Sequence, residues 1–158
     1  MMTIKTMPCP CGSNQQYTGC CGRYLDNGEA PATAELLMRS RYTAYTRDRE
    51  DYLLATWHHS TRPASLGLAN QPHNQWLGLT IKRHEQPAPD HAIVEFVARY
   101  KINGRAYRLH EISRFVYTEE RWFYVDAIFC EDKGKTVIKN RNRENSHIIN
   151  FRSRISSF

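Results

Sequence analysis

Four of the chain's five cysteines fall within thirteen consecutive residues, in the stretch CPCGSNQQYTGCCG that begins at Cys9. A segment so short and so polar has almost no core of its own, so something other than apolar burial must hold it together. Cys9, Cys11, Cys20 and Cys21 have the spacing C-x-C-x8-C-C. Four thiolates at that spacing can close a tetrahedral shell around one Zn2+ with bonds of about 2.3 Å. Gly12, Gly19 and Gly22 let the backbone turn tightly near sulfur, and Pro8 and Pro10 stiffen the approach. Ser13 and Asn14 are placed to cap a short helical turn between the two ligand pairs. Metal binding then supplies most of the folding free energy of the module. A shell of four protein ligands is structural and leaves no open position for catalysis. A disulfide knot needs an oxidising compartment, and the C-x-x-C spacing of a redox pair is absent. An iron–sulfur cluster also takes four thiolates, but the tight pairs suit one ion better. Cys130 stands apart and reads as a small buried hydrophobe.

The remainder of the 158 residues suffices for one ordinary domain plus this appendage, and 41% hydrophobic residues suffice for a core. The opening MMTIKTMP has one lysine and no apolar stretch, so the cytoplasm is the expected compartment and no membrane span is expected. A net charge of +6 favours anionic partners without selecting among them. Seven Lys or Arg residues against three acids between Glu131 and Phe158 make a basic C-terminal tail, assigned to 132–158.

Along the chain, residues 1–25 form the cysteine module and DNGEAPATA links it to a domain assigned to 33–131. AELLMRSRYTAYTR repeats apolar positions at three- and four-residue steps, with Thr33 as its N-cap. A second helix is expected in REDYLLATWHHS, capped by Asp48, ending before Pro63, with His58 and His59 in its last turn. From Trp76 the period changes to two. WLGLTIKRHE, HAIVEFVARY, RAYRLHEISRFVY and RWFYVDAIFC read as four strands joined by turns at PAPD, Asn103–Gly104 and TEE. KTVIK is a candidate fifth strand. Two helices followed by a four-strand meander give an α+β fold with helices on one face of an antiparallel sheet.

The cysteine stretch resembles the SEC-C motif, the zinc module at the C-terminus of the bacterial translocation ATPase SecA, in its four ligands and at Gly12, Ser13 and Gly22. The resemblance implies a docking element for a protein partner. Docking versions carry lysines where this chain has Gln15, Gln16 and Thr18, so the partner is not carried over with the motif. LMRSRYTAY, YLLATWH, WLGL, FVARY, HEISRF and WFYVDA together resemble the YchJ family. That resemblance implies a SEC-C module joined to a cone-shaped roll of the nuclear-transport-factor-two-like, cystatin-like class. A second SEC-C motif, carried by many members, has no counterpart after Cys130.

Such cones host isomerases, dehydratases, transport factors and dimerisation modules, so fold does not settle function. On RLHEISRF, alternation sets Glu111 and Ser113 on one face and His110 and Arg114 on the other. Arg99 is placed to pair with Glu111 across the sheet. Asp126 lies among aromatics in WFYVDAIF, where burial makes it a candidate general base. A catalytic pocket would combine Asp126 and His110 with Tyr42 or Tyr124. The competing reading puts Arg39, Arg41, Arg99 and Arg114 in structural networks with Glu95, Glu111 and Asp126. A second metal site from His58, His59, His73 or His84 has no recognised spacing. The favoured expectation is a non-enzymatic adaptor with one Zn2+, docking a protein or nucleic acid through the module, Arg23 and the tail. Self-association to a homodimer is compatible with it. The alternative is a small-molecule enzyme or binding protein using the interior of the cone. A deep pocket would favour that alternative, and a filled interior the adaptor.

Overall fold

A computed structural model describes residues 6–71, 74–130 and 136–137 of the chain. His73 and the basic tail expected over 132–158, apart from a two-residue strand, lie outside the described residues. In chain order the elements are α1 (Gly22–Leu25), α2 (Ala34–Thr46), α3 (Glu50–Ala55), β1 (Gln75–Ala88), β2 (His91–Ile102), β3 (Arg105–Thr118), β4 (Arg121–Cys130) and β5 (Thr136–Val137). The strands form one antiparallel sheet in the order β1-β2-β3-β4-β5. This is the expected helices-then-meander α+β fold, and β5 falls inside the KTVIK segment.

Turn chemistry closes the hairpins. Asn103 (φ 50°) and Gly104 (φ 78°) both take the left-handed conformation of a two-residue type I′ turn. The β3–β4 turn uses Glu119 (φ 53°) and Glu120 (φ 64°), an uncommon choice for side chains of this size. Three register shifts in the β1–β2 pair and one at Arg114/Phe115 in the β3–β4 pair bend the long strands into a cone.

Helix α2 fills that cone. Its N-terminus is capped as expected, with the Leu36 N–H donating to Thr33 Oγ1 at 3.1 Å. At about 3.6 residues per turn, Arg39 and Thr43 share one side of the helix, while Leu37, Arg41 and Tyr45 lie on the opposite side. Both sides are covered. Leu37, Arg41 and Tyr45 are buried in the cone, and Thr43 is buried against the cysteine module. That double burial is why α2 carries Ser40, Arg41 and Thr43 inside without a clean polar face.

The second helix departs from expectation. Asp48 has φ 54°, so it turns the chain and does not cap, and Arg49 occupies the N-cap position with no side-chain cap bond. The helix ends at Ala55, three residues before His58. The chain leaves it to pair with β4: Trp57 bridges Tyr124, the Tyr124 N–H donates to Thr56 O, and the His58 N–H donates to Tyr124 O. His58 and His59 therefore lie outside the last helical turn, their rings 4.2 Å apart.

Candidate metal centre

The module is folded by its own backbone before any metal is considered. Pro8 and Gln16 form a bridge, the Cys9 N–H donates to Gln15 O at 2.8 Å, and the Tyr17 N–H donates to Met7 O at 2.9 Å. Ser13 does not cap a helix. Its hydroxyl accepts from the Gln15 N–H and lies 3.2 Å from Cys20 Sγ, and the helical turn Tyr17–Gly19 has no side-chain cap. Two glycines are fixed by close approach. A Cβ at Gly22 would sit 2.7 Å from Tyr17 O, and Gly12 (φ +78°) would bring one to 3.3 Å from Leu79 O on β1.

This backbone gathers Cys9, Cys11, Cys20 and Cys21, all buried, with their sulfurs within 4.8 Å of one another. Sγ of Cys11 is 3.6 Å from that of Cys20, which is 4.0 Å from that of Cys21. A disulfide needs about 2.05 Å, and all four cysteines are free. A tetrahedron with bonds of about 2.3 Å separates its sulfurs by about 3.8 Å. The spacing thus fits one four-thiolate ion. Hydrogen bonds from Cys21 and then Cys9 hold the Cys11 thiol far below its ordinary value, and the same contacts push Cys21 far above. Burial pushes Cys20 up as well. Four buried sulfurs at this spacing suit a cation shared among them. Such a cation would be held by these four residues and would supply cross-linking, with no open coordination position.

The centre is clamped to the domain by three arginines. Arg39 Nη1 donates to Cys11 O at 3.0 Å, and Cys9 Sγ lies 3.9 Å from Thr43 Oγ1. The Arg47 guanidinium covers the Tyr17 ring at 4.3 Å. Arg49 donates to Leu25 O and Asp26 Oδ1, both at 3.0 Å, and the Tyr17 hydroxyl donates to Asp26 Oδ2 at 2.8 Å. Burial pushes the Tyr17 phenol up to about 12. The cysteines and Tyr17 belong to the same apolar cluster as Leu37, Phe96 and Tyr124. The sequence does not mark Arg39 or Arg49 as clamps, because no local spacing signals a contact between segments so far apart in the chain. Arg23, expected on the docking surface, pairs with Glu29 at 2.7 Å.

The four pocket candidates separate. On β3, Glu111 and Ser113 face inward and His110 and Arg114 outward, as alternation requires. Asp126 faces outward too. Val125 is an extra residue between the pairs Phe115–Tyr124 and Arg114–Asp126, and this bulge turns Asp126 away from the buried aromatics. It forms a bidentate ion pair with Arg114. His110 Nε2 lies 2.8 Å from Glu95 Oε1, and Arg83 Nε donates to Glu95 Oε2 at 3.2 Å. The His110 contact, then Arg83, holds the Glu95 carboxyl below its usual range. Tyr42 and Tyr124 are on the inner side, separated from Asp126 and His110 by the sheet. Burial pushes Tyr42 up to about 12. Arg99 faces outward and donates to Thr80, so it does not reach Glu111.

Inside the cone the buried cation is Arg41. Its Nη1 donates to Leu53 O at 2.8 Å and Thr56 Oγ1 at 2.7 Å. The guanidinium lies over Tyr124 at 4.5 Å and Trp57 at 5.1 Å. Burial lowers its pKa, opposed by nearby tyrosines and the buried Glu111. Arg41 thus joins the expected structural network.

Known proteins agree with this architecture. Residues 33–127 match the family model of the YchJ middle NTF2-like domain. A UPF0225 protein of Methylibium petroleiphilum is 53% identical over 121 residues, which cover 77% of this chain and 88% of that one. A UPF0225 protein of Bordetella pertussis is 54% identical over 122 residues, covering 75% and 90%. The solution structure of a SEC-C motif containing protein from Rhodopseudomonas palustris superposes with a TM-score of 0.71 at 30% identity, covering 79% of this chain and all of that one. A SEC-C motif containing protein from Psychrobacter arcticus shares the fold, with a TM-score of 0.66 at 24% identity over 87% of each chain. With residues 33–127 matched to the family model and its relatives more than half identical, this chain belongs to the YchJ family.

Proposed function

We propose that this chain is a non-enzymatic cytoplasmic binding protein whose cysteine module holds one structural Zn2+ and docks a protein partner. The observation that carries the reading is the set of four buried sulfurs at near-tetrahedral spacing, clamped to α2. A closed thiolate shell stabilises a surface and leaves no position for substrate. The filled interior weighs against a small-molecule enzyme. Trp57, Phe115, Tyr124, Leu37 and Leu53 are buried there around Arg41, and Asp126 and His110 are outside. In addition, no helix among the described residues is long and apolar enough to cross a membrane.

Metal analysis of the purified chain tests the centre. One zinc per chain, displaced by a thiol-reactive reagent, is the expected result, whereas iron or no metal contradicts it. Affinity capture with loaded and metal-stripped protein tests docking. A partner retained equally by both would take the module out of the interface.

A further inference from the structure

A seam runs between the module and the start of β1, and it forms an open groove of about 580 Å³. Asn74 is in its wall and is only 7% exposed, yet neither its Oδ1 nor its Nδ2 meets a hydrogen-bonding partner among the described residues. A buried polar group left without a partner is destabilising, and a partner that reached this amide would relieve that cost. Met7 and Leu77, each 46% exposed, flank the same groove, and they are two of the three exposed large hydrophobics among the described residues. Arg47 also lines it, lying over Tyr17 with no carboxylate partner among the described residues. β1 ends the sheet order, so its outer edge pairs with no strand among the described residues. At Leu79 that edge is covered, because Leu79 O lies close to Gly12.

We infer that this seam is a docking groove for an extended acidic segment of a partner polypeptide, which lies along Gln75–Leu77 and pairs one peptide unit with the Asn74 amide. The inference rests on the binding-protein reading and names the surface that reading lacks. A carboxamide offers a donor and an acceptor side by side, the complement of a peptide C=O and N–H. Strand addition at an open sheet edge uses backbone pairing for affinity and side-chain pockets for choice. Met7 and Leu77 receive an apolar side chain, and Arg47 faces a carboxylate. Trp76 offers no stacking face to a nucleobase, since Tyr42, Tyr45 and Tyr100 already surround it at ring distances of 5.4, 6.1 and 5.6 Å.

The test selects random dodecapeptides, displayed on phage, on the zinc-loaded full chain, and measures the enriched peptides by fluorescence anisotropy. The expected winners alternate apolar and acidic residues. They bind at least ten-fold more weakly to Leu77→Glu and Arg47→Glu, both substitutions of exposed residues. Asn74→Leu loses the same binding while its melting temperature rises, because it removes the buried amide without a partner. Enrichment of basic peptides overturns the inference, as does binding unchanged in Leu77→Glu. Asn74→Leu that melts lower and binds normally assigns Asn74 a structural role and also overturns it. A polyuridine oligonucleotide that binds through these same residues makes the groove a nucleic-acid site instead. A shift of the wild-type chain from dimer to monomer on Leu77→Glu makes it a self-association face. A zinc-loaded chain that selects no peptide sinks the groove alone, whereas absence of zinc sinks the metal reading whatever the groove binds.

Discussion

Helix α2 separates two buried polar clusters that are satisfied in opposite ways. On the cone side, Arg41 finds everything it needs within the chain: a carbonyl, a hydroxyl, two aromatic faces and the charge of Glu111. On the module side, four buried sulfurs face one another, and the proposed Zn2+ would satisfy all four at once. One cluster is complete as the polypeptide folds. The other, on the proposed reading, is completed by a metal. Arg39 and Thr43 tie this cluster to the helix that fills the cone, so a metal held there would also staple the domain.

This contrast sets the order of expected effects. Cys11→Ser has the largest, since structural zinc contributes about 10 kcal/mol or more in small zinc-held peptides. Circular dichroism should show a broadened, lowered melt of the whole chain, and a cone that melts unchanged would make the module an independent appendage. Arg41→Leu follows, at about 3–5 kcal/mol, because it leaves Glu111 buried without that cation and frees the end of α3. Urea denaturation should show this loss with zinc content unchanged. Arg39→Ala costs about 1–2 kcal/mol through the lost bond to Cys11 O. It should also speed zinc transfer to a chelator, which Arg41→Leu should not do directly.

The smallest effect is at Glu50, on the rim of the cone. Its carboxylate accepts from the backbone of Leu66, Leu68 and Gly67 and from Ser65, and these bonds hold its pKa below the ordinary value. A depressed folded-state pKa adds stability above the unfolded value of about 4.3. That stability is lost as pH falls through the folded value. Glu50→Gln should therefore lower stability at neutral pH and flatten its acid dependence, with the difference vanishing in acid. Parallel stability–pH curves would remove the loop clamp from the account.

Much of the architecture is legible locally. The cysteine spacing, the Thr33 cap, the Asn103–Gly104 turn and the period-two strands depend on neighbours in sequence, and each is where pattern reading puts it. What was illegible depends on contacts between segments. Asp126 changes face because one extra residue, Val125, enters β4, and simple alternation carries no sign of a bulge. The second helix stops at Ala55 because Thr56, Trp57 and His58 pair with Tyr124 across the fold. The coverage of α2 on two sides is hidden for the same reason, since nothing local to Arg41 signals that Trp57 and Tyr124 close over it.

Hydrogen exchange read by mass spectrometry, before and after the metal is stripped, tests the union of module and cone most directly. If the thiolate centre staples the domain, stripping releases one zinc and exposes amides in residues 6–25 and in α2 together. Loss of protection confined to residues 6–25, with α2 as protected as before, would contradict it.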